Sequence, residues 1–324
     1  MNPDSIALLD QPPSFAPMAR GRRLAYGEYG DPAGIPLVYC HGFPSSRREA
    51  LLLHPAACAV GVRLIAADRP GYGASEFDPD RRIPDWADDC ARLLDHLGLE
   101  RATLAGISGG GPYALACAAA MPERLDGCLL VCPLGPVYRP EVLAEMRAPS
   151  RNALWLASRL PVMTRLVYGE PASHLFARWP QTVEWVRDAA APPVDRDQLA
   201  DPRVRAIMNR TIQDALDHGA RGARQDIQLY TRPWGLRYAE IGFPIDLWHG
   251  EDDGTVPVAH AHWYARHLPR CTTHILPAEG HFSLPLCHAE TILRDLRHPI
   301  QGCAEPAAAP ANRRASIDAP HRDA

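Results

Sequence analysis

The sequence predicts an α/β protein: a mostly parallel central sheet with flanking helices, interrupted by an inserted helical cap. Three observations predict it. From about residue 22, short apolar runs alternate with amphipathic stretches. Several of those runs end in glycine-containing loops. The alternation stops near Gly135 and resumes near residue 241. Strand, helix, strand at this spacing implies right-handed crossovers between parallel neighbours. A mostly helical interruption of about 100 residues within such a core reads as an insertion.

Each element has its own reason. "IPLVYCHG" (35–42) and "VRLIAADRPG" (62–71) are continuous apolar runs bounded by turn residues, the pattern of strands buried on both faces. "DWADDCARLLDHLG" (85–98) places Trp86, Cys90, Leu93, Leu94 and Leu97 on one helical face, with Gly98 as a stop. "RATLAGI" is the next strand. "GPYALACAAAM" follows as a helix with Pro112 in its first turn, and "LDGCLLVCP" as a further strand. Beyond Gly135, "RNALWLASRLPVMTRLVY" and "RVRAIMNRTIQDALDHG" are the clearest amphipathic helices. "FPIDLWHGEDD" (243–253), "PVAHAHWYARHL", "CTTHILPAEGH" (271–281) and a helix near 288–297 then restore the alternation.

The resulting division is an N-terminal arm (1–21), a first core part (22–134), a helical cap (135–240), a second core part (241–298) and a Pro/Ala-rich tail (299–324) expected to be disordered. Trp155, Trp179, Trp185 and Trp234, with Met163, Leu166, Phe176 and Tyr230, are the cap residues that could line an apolar pocket. Packing between cap helices is the plainer reading of each one taken singly.

Composition narrows the chemistry. The 324 residues carry a net charge of −4, which gives no reason to expect a nucleic-acid partner. No apolar run is long enough to span a bilayer, and the first residues lack a secretory pattern, so a cytoplasmic protein is expected. All 34 basic residues are arginine. The absence of lysine excludes Schiff-base, pyridoxal-phosphate, Ser–Lys and P-loop chemistry. Nine cysteines without a C-x-x-C pair read as buried thiols, and "HAHWYARH" lacks a carboxylate at ligand spacing, so no metal and no cofactor are expected.

"Gly106-Ile107-Ser108-Gly109-Gly110" satisfies G-x-S-x-G between a strand and a helix. Such a turn strains the serine and exposes its hydroxyl at the carboxyl edge of the sheet, where the Gly109 N–H can bind an oxyanion. Gly111 is not required by the motif. "His41-Gly42-Phe43" ends an earlier strand, and its glycine lets the loop approach Ser108 so that the Phe43 N–H becomes the second donor. "DRPGYGAS" (68–75) reads mainly as a structural turn. "HGEDDGTVP" (249–257) and "EGHFS" (279–283) end later strands and offer acids and His281. His41 and His249 precede glycines and read as loop braces.

With these motifs in this order, the sequence resembles the α/β-hydrolase superfamily over roughly residues 22–134 and 241–297. The resemblance implies a Ser–Asp–His triad in that chain order: Ser108, an aspartate near 252–253, and His281. The pattern Gly250-Glu251-Asp252-Asp253-Gly254-Thr255-Val256-Pro257 selects Asp253, with Asp252 the alternative. The implied function is a serine hydrolase acting on an ester or related acyl compound, its partner a small, partly apolar molecule, with a homodimer possible. The same triad serves acyl transfer, carbon–carbon bond hydrolysis, lyase or perhydrolase chemistry in such folds, and a non-catalytic ligand receptor is a further alternative.

Overall fold

The structure is a computed structural model and describes residues 5–160 and 191–295. Eight strands form one sheet: β1 (Ser14–Pro17), β2 (Arg23–Gly30), β3 (Ile35–Cys40), β4 (Val62–Ala67), β5 (Ala102–Ile107), β6 (Leu125–Val131), β7 (Ile245–Gly250) and β8 (Cys271–Leu276). Their spatial order is β1-β2-β4-β3-β5-β6-β7-β8. The β1–β2 and β2–β4 pairs are antiparallel, and the pairs from β4 to β8 are parallel. Thus β1, within the stretch expected as an N-terminal arm, is one edge strand and β8 the other.

The core strands are apolar on both sides because helices cover both faces. Neighbouring residues point to opposite faces and so enter different clusters. Val38, Leu104 and Leu130 pack in one, while Leu37, Ala105 and Leu129 pack in the other. Helix α1 (His54–Val60) follows β3, α2 (Trp86–His96) follows β4, and α3 (Gly111–Ala120) follows β5. Helix α2 buries Trp86, Cys90, Leu93 and Leu94, while Leu97, at its C-cap, is partly buried against the same cluster. Helix α3 is apolar nearly all round because it lies buried against β5, β6 and α2.

Between β6 and β7 the described residues form α4 (Pro140–Glu145), α5 (Ala148–Arg159), α6 (Pro193–Ala200), α7 (Pro202–Leu216) and α8 (Arg221–Tyr230). The Asp201 carboxylate caps α7 by accepting from the Arg203 N–H at 2.7 Å. Helices α9 (Ala259–His267), α10 (Ser283–Cys287) and α11 (Ala289–Asp295) complete the chain as described. Met163, Leu166, Phe176, Trp179, Trp185 and the tail 299–324 lie outside the described residues.

The strand order locates the site. From β3 the chain moves to β4 on one side, whereas β5 lies on its other side. This reversal opens a crevice at the carboxyl ends of β3 and β5, where open α/β sheets bind ligands. The turns after β7 and β8 emerge at the same edge because those strands are parallel to β5.

Candidate active site

Ser108 joins β5 to α3 at φ +51°, a left-handed conformation that serine adopts at a cost of about 1–3 kcal/mol. The surrounding glycines are steric necessities. A side-chain carbon on Gly110 would lie 2.0 Å from the Cys40 carbonyl oxygen, and one on Gly106 would lie 2.7 Å from Ala114 Cβ. Gly111, unneeded by the motif, has a reason in the fold, since a Cβ there would meet Pro133 at 2.7 Å. The Ser108 carbonyl accepts from the Leu134 N–H at 2.9 Å. Because the peptide is planar, this bond turns the Gly109 N–H the opposite way.

The β7 and β8 turns bring an acid to a histidine. Asp253 Oδ2 lies 2.7 Å from His281 Nδ1, and both side chains are buried. Asp253 Oδ1 accepts from the N–H groups of Thr255 (2.8 Å) and Val256 (2.7 Å). Asp252 is exposed. Burial pushes the Asp253 carboxyl up, but the His281 charge and hydrogen bond outweigh it and hold the group below its ordinary value. For His281, burial favours the neutral ring, and the facing Asp253 carboxylate wins, so its pKa is raised. With Nδ1 engaged, Nε2 is the ring nitrogen left for the cleft.

Asp195, in the first turn of α6, braces this histidine loop from outside the core. Its fully buried carboxylate accepts from the backbone N–H groups of His281 (3.0 Å), Phe282 (2.8 Å) and Ser283 (2.9 Å). Nothing in "APPVDRDQLA" signals this, because the partners are backbone groups 86 to 88 residues away.

The His41–Phe43 loop meets the elbow. A Cβ on Gly109 would stand 3.3 Å from the Phe43 nitrogen, so the two N–H-bearing segments are adjacent. His41 is buried and neutral: burial first, and then the Arg69 charge, hold its pKa well below the usual value. Its Nδ1–H donates to Gly42 O at 2.9 Å while Nε2 accepts from the Arg69 N–H at 3.2 Å. The Arg69 guanidinium bonds the His41 carbonyl and donates to Gly42 O at 2.9 Å. Pinning Gly42 O turns the Phe43 N–H to the other side of the peptide plane. Arg69 is itself held by Asp226 of α8 (2.9 Å), which also takes Arg81, Tyr72 and Tyr113. "DRPGYG" therefore does more than turn the chain.

A family model described as alpha/beta hydrolase fold matches residues 35–286. The chain belongs to the alpha/beta hydrolase fold family. The chain is 32% identical over 265 residues to the dihydrolipoyllysine-residue acetyltransferase component of an acetoin cleaving system from Pseudomonas putida, covering 81% of this chain and 62% of that one. It therefore spans less than two thirds of that relative. It is 31% identical over 275 residues to the uncharacterized hydrolase YcgS of Bacillus subtilis, covering 81% of this chain and 89% of the other. Among solved structures, a thermophilic esterase from Thermogutta terrifontis superposes with a TM-score of 0.61 at 22% identity, over 88% of this chain and 96% of that one.

Two cavities share Ser108, Phe43 and Thr255. One, open to solvent, is walled by Tyr39, Glu49, Leu52, Met208, His281 and Leu286 among others. The other is walled by Gly109, Leu134, Met146, Leu154, Ile227 and Tyr230 among others. Tyr230 lines the second cavity and its hydroxyl lies 2.8 Å from Gly109 O. Trp234 is buried with its indole N–H on the Tyr230 carbonyl, and Trp155 is half exposed; neither lines these cavities.

Behind the acid, Cys132, His249 and Asp253 place ligand atoms within 4.8 Å of one another. Both Asp253 oxygens are already engaged, and His249 Nε2 lies 2.8 Å from the Val256 carbonyl oxygen. The group fits a brace for the acid loop better than a metal cage. Among the described residues, no helix is long and apolar enough to cross a membrane.

Proposed function

We propose that this protein is a serine hydrolase that cleaves a carboxylic ester or related acyl compound through an acyl-enzyme. Ser108 Oγ attacks the carbonyl carbon while His281 Nε2 takes its proton. The Phe43 and Gly109 N–H groups stabilise the oxyanion, and Asp253 stabilises the imidazolium. Collapse breaks the ester C–O bond, and His281 returns the proton to the leaving alkoxide. Water, deprotonated by the same histidine, then releases the acid and frees Ser108.

The observation that carries this reading is the convergence of a strained Ser108 and an aspartate-bound His281 on one cavity wall. The two cavities meeting at Ser108 suit a substrate with an arm on either side of its carbonyl, both arms in largely apolar surroundings. The esterase from Thermogutta terrifontis, though similar only at the level of fold, is named for such chemistry.

The test uses a fluorophosphonate probe and aryl esters of graded chain length on wild type and Ser108→Ala. Labelling and turnover that both vanish in Ser108→Ala support the proposal. A wild-type protein that is neither labelled nor active refutes it and favours a ligand receptor. Labelling without ester turnover refutes ester cleavage and moves the same serine to acyl transfer or carbon–carbon bond chemistry.

A further inference from the structure

Glu49 is an acid in the cleft that the triad does not use. It sits in the 3-10 turn Arg47–Leu52 after β3. Its neighbours turn inward and are neutralised, Arg47 by Asp68 at 2.6 Å and Arg48 by Asp214. Glu49 instead walls the cavity that holds Ser108 and His281. Its Oε2 accepts from the Gly42 N–H at 2.6 Å and the Tyr39 hydroxyl at 3.1 Å, and the Ser45 hydroxyl lies alongside.

Its position relative to the nucleophile follows from one glycine. A side-chain carbon on Gly42 would lie 3.0 Å from Glu49 Oε1 and 3.6 Å from Ser108 Cβ. The carboxyl and the nucleophile therefore face one another across Gly42. The charged groups facing Glu49 are His281 and Arg69, and the Arg69 charge is already engaged by Asp226. Among the described residues lining the two cavities there is no arginine, and the chain has no lysine. Burial pushes the Glu49 carboxyl up, and the Gly42, Ser45 and Tyr39 hydrogen bonds offset part of that push.

We infer that Glu49 determines substrate specificity by charge, favouring substrates that carry an ammonium group over neutral isosteres, and neutral ones over carboxylates. The inference rests on the hydrolase reading above and adds its substrate class. A carboxylate in a partly desolvated, mostly apolar cleft attracts a cation and repels an anion far more strongly than it would in water. Oε2 is engaged by Gly42 and Tyr39, and Oε1 is the oxygen nearer the space over Gly42 that Ser108 also borders.

The experiment compares three matched esters: a trimethylammonioethyl (choline) ester, its uncharged 3,3-dimethylbutyl isostere, and an ester with a carboxylate on the same arm. A second series carries the same groups on the acyl arm. The readout is the ratio of kcat/KM values within a series, so a uniform loss cancels. In at least one series wild type should prefer cation to isostere by about tenfold or more, and isostere to anion. Glu49→Gln, which keeps the shape, should bring the ratios within about twofold.

No charge ordering in either series, or an ordering that survives Glu49→Gln, overturns the inference. A second measurement needs no chemistry: NMR titration of choline against 3,3-dimethylbutanol in Ser108→Ala and in Ser108→Ala/Glu49→Gln. A preference for choline that disappears with Glu49 supports the inference even where no ester is turned over, an outcome that refutes the hydrolase reading alone. Equal binding of the two alcohols with Glu49 present overturns it.

Discussion

Replacing Asp226 by asparagine should unsettle both the fold and the proposed oxyanion donors. Asp226 is fully buried and its carboxylate accepts from Arg69 Nε (3.1 Å) and Nη2 (2.9 Å), Arg81 Nη2 (2.5 Å) and the hydroxyls of Tyr72 (2.8 Å) and Tyr113 (2.5 Å). Asparagine keeps the shape but removes the formal negative charge that pairs with the two buried guanidinium groups of Arg69 and Arg81. Breaking a buried ion pair from one side costs about 3–5 kcal/mol, mostly the penalty of the charge left behind. At about 2 °C per kcal/mol for a chain of this size, Tm should fall by roughly 6–10 °C in calorimetry at pH 7. The pH dependence has a definite sign. Burial pushes the Asp226 carboxyl up, but Arg81, Arg69 and Tyr113 hold it far below the ordinary range. Its stabilisation is thus fully present above the unfolded value of about 3.9 and is lost only as pH falls below it. The Tm gap should be flat from about pH 5 to 8. Arg69 also holds Gly42 O, so kcat should fall by about 10–100-fold, part of the roughly 2.7–4 kcal/mol that one oxyanion donor supplies. A Tm within about 2 °C of wild type would refute the reasoning, because it would mean that the two arginines need no counter-charge.

Three further outcomes are expected. Asp253→Asn should lower kcat by about 10⁴-fold by misorienting the His281 tautomer, whereas exposed Asp252→Asn should stay within about twofold; ester kinetics on the two variants decide, and the reverse order would sink the assignment. Because Asp253 raises the His281 pKa, the acidic limb of kcat/KM should have its midpoint above about 6.5, and the stability this pair contributes should be lost as pH rises through that same midpoint; a midpoint below 6.5 contradicts the charge assignment. Asp195→Ala leaves three backbone N–H groups without their acceptor, at about 1–3 kcal/mol for each that stays dry, and should accelerate hydrogen exchange at His281, Phe282 and Ser283; unchanged exchange there would show that α6 does not hold the histidine loop.

What was legible in the sequence is what local pattern encodes. The strands from β3 to β7 announce themselves as apolar runs because they are buried on both faces, and the α/β alternation followed from them. The elbow was legible because sterics dictate its glycines. Strand β1, "SFAP", was not, since four residues pairing along one edge make too short a pattern. The deeper supports were unreadable for a different reason. Asp195, Arg69, Asp226 and Glu49 matter through partners far off in the chain or through backbone groups, and neither leaves a periodicity. The tryptophans of the segment after β6 were the tempting pocket residues. Yet Trp234 is spent on packing and a bond to Tyr230, and Tyr230 is the one that reaches the cavity.

These supports share an origin that bears on how the site is built. Asp195 and Asp226 both belong to the segment between β6 and β7, and each reaches into a different core loop. Asp195 holds the backbone that carries His281, while Asp226 holds the arginine that aims the loop of Gly42 and Phe43. A segment that only covered the cleft could be shortened at the expense of substrate binding alone. This one supplies the counter-charge for Arg69 and Arg81 and the acceptor for three N–H groups, so its removal would leave buried charges and unsatisfied donors in the core itself. The segment and the sheet are therefore interdependent, and substitutions in α6 and α8 should be read first for what they do to His281 and Gly42, and only then for what they do to the cavity wall.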